Sequence, residues 1–387
     1  MAGAIVAAGG RALVLAEAGR LEKRLAAAGG ELIAFPAASK NPFKMLANAR
    51  AIARISAAES VDLIHARSRA PAWSGLIAAR TLAIPFVTTY HGAYGEGNAA
   101  KRAYNSVMAR GDVVIANSRY TADLIAERYG TPRNRIAVIH RGVDGSLFDP
   151  EGVPPDRLAA LRRGWAVAAT APIILQAARL TAWKGQGVLI EAAARLKAAG
   201  RLQSALVVLA GDAQGRDGYV HMLQSQIDAG GLAPSVRLVG HVEDIAAAYL
   251  AAHVTVIASR EPEAFGRAAI EASAMQCPVV ATDLGAPPET ILASPVFPAD
   301  AATGWLVPPG NAAALADRLA EALALSDAAR AEIGRRARRH VLANFTIAAM
   351  QSRTLAVYDR LLGSILERRF SARAAPGCAP PHLARQP

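Results

Sequence analysis

The sequence predicts an α/β protein of two domains, each built on a parallel sheet. Two observations carry this. Short β-like runs alternate with Ala-rich helical runs along most of the 387 residues, and the alternation comes in two series separated by a proline-rich break. Strands that alternate with helices are joined by right-handed crossovers, which lay the strands parallel. The first series reads as strands at 12–15, 32–35, 63–66, 85–90, 113–117 and 136–139. The second reads as strands at 172–177, 205–210, 236–239, 254–258 and 278–282. Helical runs at 48–59, 121–129, 187–199 and 267–275 lie between them. The break falls at 149–164, where Pro150, Pro154 and Pro155 interrupt the pattern and a short charged helix, 156–163, follows. The domains therefore read as 1–155 and 156–345. A helix at about 346–368 is expected to pack back on the first domain, and 371–387 has the composition of a disordered tail.

The beginning of the chain departs from this plan. A doubly wound domain opens with a strand, a glycine turn and a helix. Here Met1–Gly10 reads as the end of that helix, running straight into the strand at 12–15. The first domain is expected to lack its first strand. A start codon further upstream is the favoured account, ahead of a fragment or a decayed gene.

Composition narrows the function. Hydrophobic residues make up 52% and charged residues 19%, the balance of a globular chain. No apolar run approaches the roughly 18 residues of a membrane-spanning helix, and no basic leader precedes an apolar stretch at the start. A cytoplasmic protein is expected. The two cysteines, Cys277 and Cys378, make neither a zinc set nor a disulfide framework. Of the net charge of +12, residues 1–150 carry the larger part, with 19 basic against 11 acidic side chains. Such a surface suits an anionic substrate or the inner face of a membrane. Nucleic acid is not expected, because no basic stretch is interleaved with aromatics, which are only 5% of the chain.

Two segments carry chemistry. The first is 259–271, Ser-Arg-Glu-Pro-Glu-Ala-Phe-Gly-Arg-Ala-Ala-Ile-Glu. It places acidic groups, then Phe265-Gly266, between a strand and a helix. The amides of a helix N-terminus bind anions, and Gly266 lets a phosphate approach the backbone. Glu271, two turns into the helix, suits ribose hydroxyls, and Glu263 in the loop suits those of a sugar. The second segment is 178–185, Ala-Arg-Leu-Thr-Ala-Trp-Lys-Gly, after the strand at 172–177. Ligands of parallel sheets bind at the carboxyl ends of strands, and Arg179 and Lys184 are two cations at such an edge, as a diphosphate requires.

Together these segments resemble glycosyltransferase family 4, the group 1 retaining glycosyltransferases of GT-B fold. Arg179, Lys184, Glu263 and Glu271 match the family's Arg…Lys…Glu-x₇-Glu order. Thr282-Asp283-Leu284-Gly285 with Glu289, and Gly304-Trp305-Leu306-Val307-Pro308-Pro309-Gly310, look like later landmarks. His91-Gly92, Asn117-Ser118 and Gly142-Val143-Asp144 look like earlier ones. The match runs from about residue 5 to about 365.

The resemblance implies two Rossmann-like domains facing across a cleft. It implies that Arg179 and Lys184 bind the donor diphosphate and stabilise the departing charge. Glu263 contacts the transferred sugar, the backbone at Phe265 and Gly266 approaches sugar or phosphate, and Glu271 holds the ribose. The backbone of Gly240, His241 and Val242 sits near the base, and His91 faces the sugar. The implied reaction retains anomeric configuration and uses no metal or other cofactor. No His/Asp cluster with ligand spacing contradicts that. The partners implied are a nucleotide-sugar donor and a glycan or lipid-linked acceptor, of lipopolysaccharide-core type for preference. A sugar-nucleotide 2-epimerase and a non-catalytic or decayed nucleotide-sugar-binding protein remain the alternatives.

Overall fold

In the computed structural model of the chain, residues 1–92, 94–95 and 97–374 are described. Packing groups them into two units, Met1–His140 with the chain from Ile347 onward, and Arg141–Thr346.

The first unit holds six parallel strands in two sheets. β1 (Leu13–Ala16) pairs with β2 (Glu31–Ala34), Leu13 opposite Glu31. β3 (Ile64–Ala66), β4 (Phe86–Tyr90), β5 (Val113–Ala116) and β6 (Ile136–Val138) form a second sheet in that order. β4 and β5 are wholly buried, as parallel strands covered on both faces must be, whereas all four residues of β1 are half-buried. The two sheets are separate: no strand of one is paired with a strand of the other among the described residues. The chain opens as a helix, Ala2–Ala7, whose Ala4 joins Val87, Ile115, Leu355 and Tyr358 in one cluster. The helix Ile347–Leu362 supplies Leu355 and Tyr358.

The second unit carries one six-stranded parallel sheet of order β12-β11-β10-β7-β8-β9. Its strands are β7 (Ile173–Ala177), β8 (Leu206–Ala210), β9 (Val236–Gly240), β10 (Val254–Ile257), β11 (Val279–Thr282) and β12 (Gly304–Val307). Side chains alternate across it: Ile173 and Leu175 enter one core, Ile174 the other. The order reverses between β7 and β10.

All eleven strands expected from sequence are present, each end within one residue. β12 was not anticipated as a strand. The division between units falls at 140/141 rather than 155/156, because Phe148, Val153 and Trp165 pack into the core of the second unit. The helix expected at 48–59 starts earlier and spans Pro42–Ala58. Asn41 caps it, accepting from the Phe43 and Lys44 amides, and Pro42 has no amide to orphan. Residues 371–374 end the helix Leu366–Ala374 and are not disordered; the rest of the expected tail, 375–387, lies outside the described residues.

One polar group sits at the centre of the first unit. The His65 ring is held at both nitrogens, by the Tyr358 hydroxyl at Nδ1 (2.6 Å) and the Thr89 hydroxyl at Nε2 (2.7 Å). Burial, then the positive charges of Arg67, His91 and the Met1 amine, push its pKa down to about 3. The unfolded chain takes up this proton near pH 6.5 and the folded unit does not. His65 therefore stabilises fully above pH 6.5, and that contribution is lost as pH falls toward 3. Denaturant midpoints of the wild type should fall from pH 7 to pH 5 with a slope approaching about 1.4 kcal/mol per pH unit. His65→Gln should flatten that slope, and equal slopes in the two proteins would rule His65 out as its source.

Candidate functional site

The chemistry-bearing residues of the second unit gather at the carboxyl ends of β7 and β10, where the strand order reverses. A doubly wound sheet opens a crevice for ligands at such a point. Two close backbone contacts build it. The loop after β7 closes in a short turn, Ala182–Lys184, and Gly185 follows with φ +72°. A Cβ on Gly185 would stand 1.8 Å from the Ala258 carbonyl oxygen, so only glycine lets this loop lie against the end of β10. The Arg260 amide donates to the Trp183 carbonyl (2.7 Å), and Gln176 Nε2 donates to that of Lys184 (2.6 Å).

The second contact fixes Glu263. Its backbone forms a bridge with Gly285, and the Ala286 amide donates to its carbonyl (2.9 Å). A Cβ on Gly285 would lie 2.4 Å from that carbonyl oxygen and 2.7 Å from the Glu263 nitrogen. The Glu263 side chain is almost wholly buried. Its carboxylate pairs with Lys184 Nζ and accepts from Ser259 Oγ (2.6 Å). Lys184 lies over the Trp183 ring, 4.2 Å from its centre. Arg179 extends into solvent, and its guanidinium has no hydrogen bond or ion pair among the described residues.

Beyond the loop, Phe265 is buried against Phe345 and Gly266 enters the helix Arg267–Ala274 with φ +77°. Glu271 lies on this helix, its side chain only 12% exposed, and accepts from Arg267 (2.6 Å). Burial raises its pKa, and Arg267 and the Tyr249 hydroxyl partly offset that. β9 ends at Gly240, φ +69°, whose carbonyl accepts from the Gly211 amide (2.7 Å); His241 is exposed and Val242 half-buried beyond it.

Of the residues singled out from sequence, the structure thus brings Arg179, Lys184, Glu263, Phe265, Gly266 and Glu271 to one end of this sheet. Gly240–Val242 lie at the same end, beyond β8. His91 belongs to the first unit, half-buried directly after β4, its carbonyl accepting from Asn117 Nδ2 (3.4 Å). Sequence reasoning gave no role to Ser259, Trp183 or Gly185. Ser259 and Gly185 sit inside the quoted motifs, and their position beside a strand end was the available signal.

The fixed backbone makes a measurable difference between two glycines of similar φ. Gly310, φ +72°, has nothing within 4 Å of the point where a Cβ would stand. Gly310→Ala should cost about 1 kcal/mol, the conformational penalty alone. Gly285→Ala must also displace Glu263 and should cost at least about 2 kcal/mol more in denaturant melts. Equal losses would mean that the Gly285–Glu263 contact is slack.

Comparison with known proteins agrees with this geometry. Residues 159–340 match the family described as glycosyl transferases group 1, and residues 1–147 match glycosyltransferase family 4. A glycosyltransferase from Rickettsia africae is 34% identical over 94% of this chain and 95% of that one, with a TM-score of 0.83. Anabaena HepE, solved in complex with UDP-glucose, is 25% identical over 90% of this chain and 92% of that one, with a TM-score of 0.76. A protein of Xylanimonas cellulosilytica named D-inositol 3-phosphate glycosyltransferase is 32% identical over 72% of this chain. The chain spans 65% of that relative, and 61% and 52% of two others of the same name. With its two matched halves, its GT-B fold and the Arg179–Lys184–Glu263–Glu271 set in place, the chain belongs to the group 1 glycosyltransferases, glycosyltransferase family 4.

Proposed function

We propose that the chain transfers a sugar, with retention of configuration and without a bound metal, from a nucleotide-sugar donor to an envelope glycan or lipid-linked acceptor. The observation that carries this is the juxtaposition, at the reversal of the second sheet, of an uncommitted Arg179, a Lys184–Glu263 pair and a buried Glu271. As the bond to the anomeric carbon breaks, negative charge grows on the leaving diphosphate. On this reading Arg179 and Lys184 bind the diphosphate and stabilise that charge more in the transition state than in the ground state. Lys184 has three N–H donors and keeps Glu263 while binding phosphate. Glu263, fixed by Gly285, takes sugar hydroxyls, and Glu271 accepts from the ribose. His91 acts on the sugar from the first domain. The UDP-glucose in Anabaena HepE supports a nucleotide-sugar donor. The relatives named for D-inositol 3-phosphate favour a phosphorylated acceptor over a lipopolysaccharide core specifically.

A place at the membrane's inner face belongs to the same reading. No helix among the described residues is long and apolar enough to cross a membrane. The helix Pro42–Ala58 does expose Phe43 (85%) and Leu46 (42%). The stretch 32–58 holds Lys40, Lys44, Arg50 and Arg54 and no acid. Apolar side chains flanked by cations on an exposed helix bind the interface of anionic bilayers.

Two experiments test the reading. In a thermal-shift screen of UDP-, GDP- and ADP-sugars, one donor should stabilise the wild type and transfer should survive chelator. Glu271→Ala should weaken that donor roughly 30-fold, the worth of lost hydrogen bonds to two hydroxyls. Conversion of the donor to its epimer without acceptor, or donor binding without transfer, would instead establish one of the two alternatives. In co-sedimentation at low salt, anionic vesicles should carry the protein down, and Phe43→Ser with Lys44→Glu should lower partitioning about tenfold or more. Equal partitioning of wild type and variant would remove this helix from membrane docking.

A further inference from the structure

We infer that Trp183 is a positioning residue: the face of its indole ring holds the Lys184 ammonium in place for the donor's phosphates without cancelling its charge. The inference rests on the transferase reading, which gives Lys184 to the donor diphosphate, and deepens it by naming a residue that acts through Lys184.

Trp183 is unlike the other tryptophans. Trp165 is buried in one core of the second unit. Trp305 packs against the other core, and its Nε1 donates to Glu321 Oε1 (3.0 Å). Trp73 packs against a core of the first unit, and its Nε1 donates to the Tyr104 carbonyl (3.0 Å); Arg110 also lies over that ring, 5.0 Å from its centre. Trp183 is half-buried and enters none of the apolar cores among the described residues, and its Nε1 has no hydrogen bond there. What its ring does touch is a cation, Lys184 Nζ, 4.2 Å from the ring centre. Tryptophan ordinarily stabilises a fold through apolar burial and its N–H bond, and this one does neither. Its place at the carboxyl end of β7 therefore points to the site rather than to the core.

Backbone contacts fix the ring and the ammonium relative to one another. The Trp183 carbonyl accepts from the Arg260 amide (2.7 Å), the Lys184 carbonyl accepts from Gln176 Nε2 (2.6 Å), and Gly185 lies against Ala258. The Lys184 side chain is only 17% exposed, and its ammonium pairs with Glu263, which Ser259 Oγ also holds. The ammonium thus has two partners, a carboxylate and a ring face, and they differ in kind. A carboxylate attracts the ammonium by cancelling its charge, which leaves less for a phosphate. A ring face attracts it through the quadrupole and adds no net charge, so the leaving diphosphate still meets a cation. Lysine also has a long, flexible stem, and the ring limits its freedom without competing for the same anion. Such a contact is worth more at a partly dehydrated ammonium than at an exposed one.

Fluorinated tryptophans placed at position 183 alone test this, because fluorine drains the ring's negative face and barely changes its shape. The probe is UDP, GDP or ADP, whichever stabilises the wild type, and calorimetric titration reads its affinity. A series of rising fluorine content should weaken binding step by step, reaching about fivefold. Trp183→Leu should lose at least as much, and Trp183→Phe, which keeps a weaker ring face, should fall between. In a Lys184→Met background, Trp183→Leu should change the affinity less than about twofold, since the ring then has no cation to hold. Denaturant midpoints report on the fold of each variant, and the fluorinated proteins keep the native shape should Trp183→Leu fail to fold. A flat fluorine series would overturn the inference. So would an equal loss from Trp183→Leu with and without Lys184, which would mean that the ring packs on the donor itself. If none of the three nucleotides binds wild type, the transferase reading fails and takes this inference with it. If wild type binds but is indifferent to fluorine, only this inference fails.

Discussion

The second unit depends on backbones pressed together where glycine leaves room. Gly185 lies on the end of β10, Gly285 on Glu263, and Gly211 so close to the end of β7 that a Cβ would stand 1.8 Å from the Ala178 carbonyl oxygen. These contacts tie together the loops that leave neighbouring parallel strands. A loop is ordinarily the most mobile part of a fold, and groups that stabilise developing charge must not move to do so. Here the loop that carries Glu263 is held through its own backbone, so its carboxylate is positioned before any ligand arrives. Ser259 and Lys184 then orient the carboxylate from the side.

The same logic separates the two units. The second sheet is continuous and buried on both faces, and its two cores meet through alternating residues of β7. The strands of the first unit lie in two separate sheets, and β1 and β3 are less buried than β4 and β5. Unpaired strand edges leave backbone groups without partners, and half-buried parallel strands forgo part of the burial that stabilises such sheets. The first unit compensates with local polar locks. His65 joins β3 to β4 and to the helix Ile347–Leu362, and Arg80 makes two hydrogen bonds to Asp112 (3.0 and 2.7 Å), which also accepts from the Phe86 amide.

What the sequence reveals follows from which interactions are local. Val, Ile and Leu runs between Ala-rich helices mark the strands to within a residue, because burial on both faces demands an uninterrupted apolar run. β12 escaped because Gly304-Trp305-Leu306-Val307 is short, begins with glycine and has only two fully buried positions. Of the site, the Arg179, Lys184, Glu263 and Glu271 set was legible as an ordered motif. The pairing of Lys184 with Glu263 was not, since 79 residues separate them and only the strand order brings them together. The division between units was misplaced for a related reason. Prolines mark where the chain stops being helical, whereas the units are set by where Phe148 and Trp165 find their core.

Charge in this protein is best understood by sorting its cations by commitment. A net excess of positive charge suggests a ligand only if the charges are not already spent inside the fold. Most arginines here are spent. Arg338 donates to the Phe148 and Ala274 carbonyls and to Asp149, Arg157 grips Asp244 with two hydrogen bonds, and Arg128 holds the Tyr94 carbonyl. Such residues fasten loops, and their charge is largely cancelled where they act. Arg179 stands apart: it follows β7 at the carboxyl end of a parallel sheet and lacks a protein partner among the described residues. A cation left without an internal partner at a strand end keeps its full charge for a ligand, so the placement of Arg179 says more about what this sheet can bind than the net charge of the chain does.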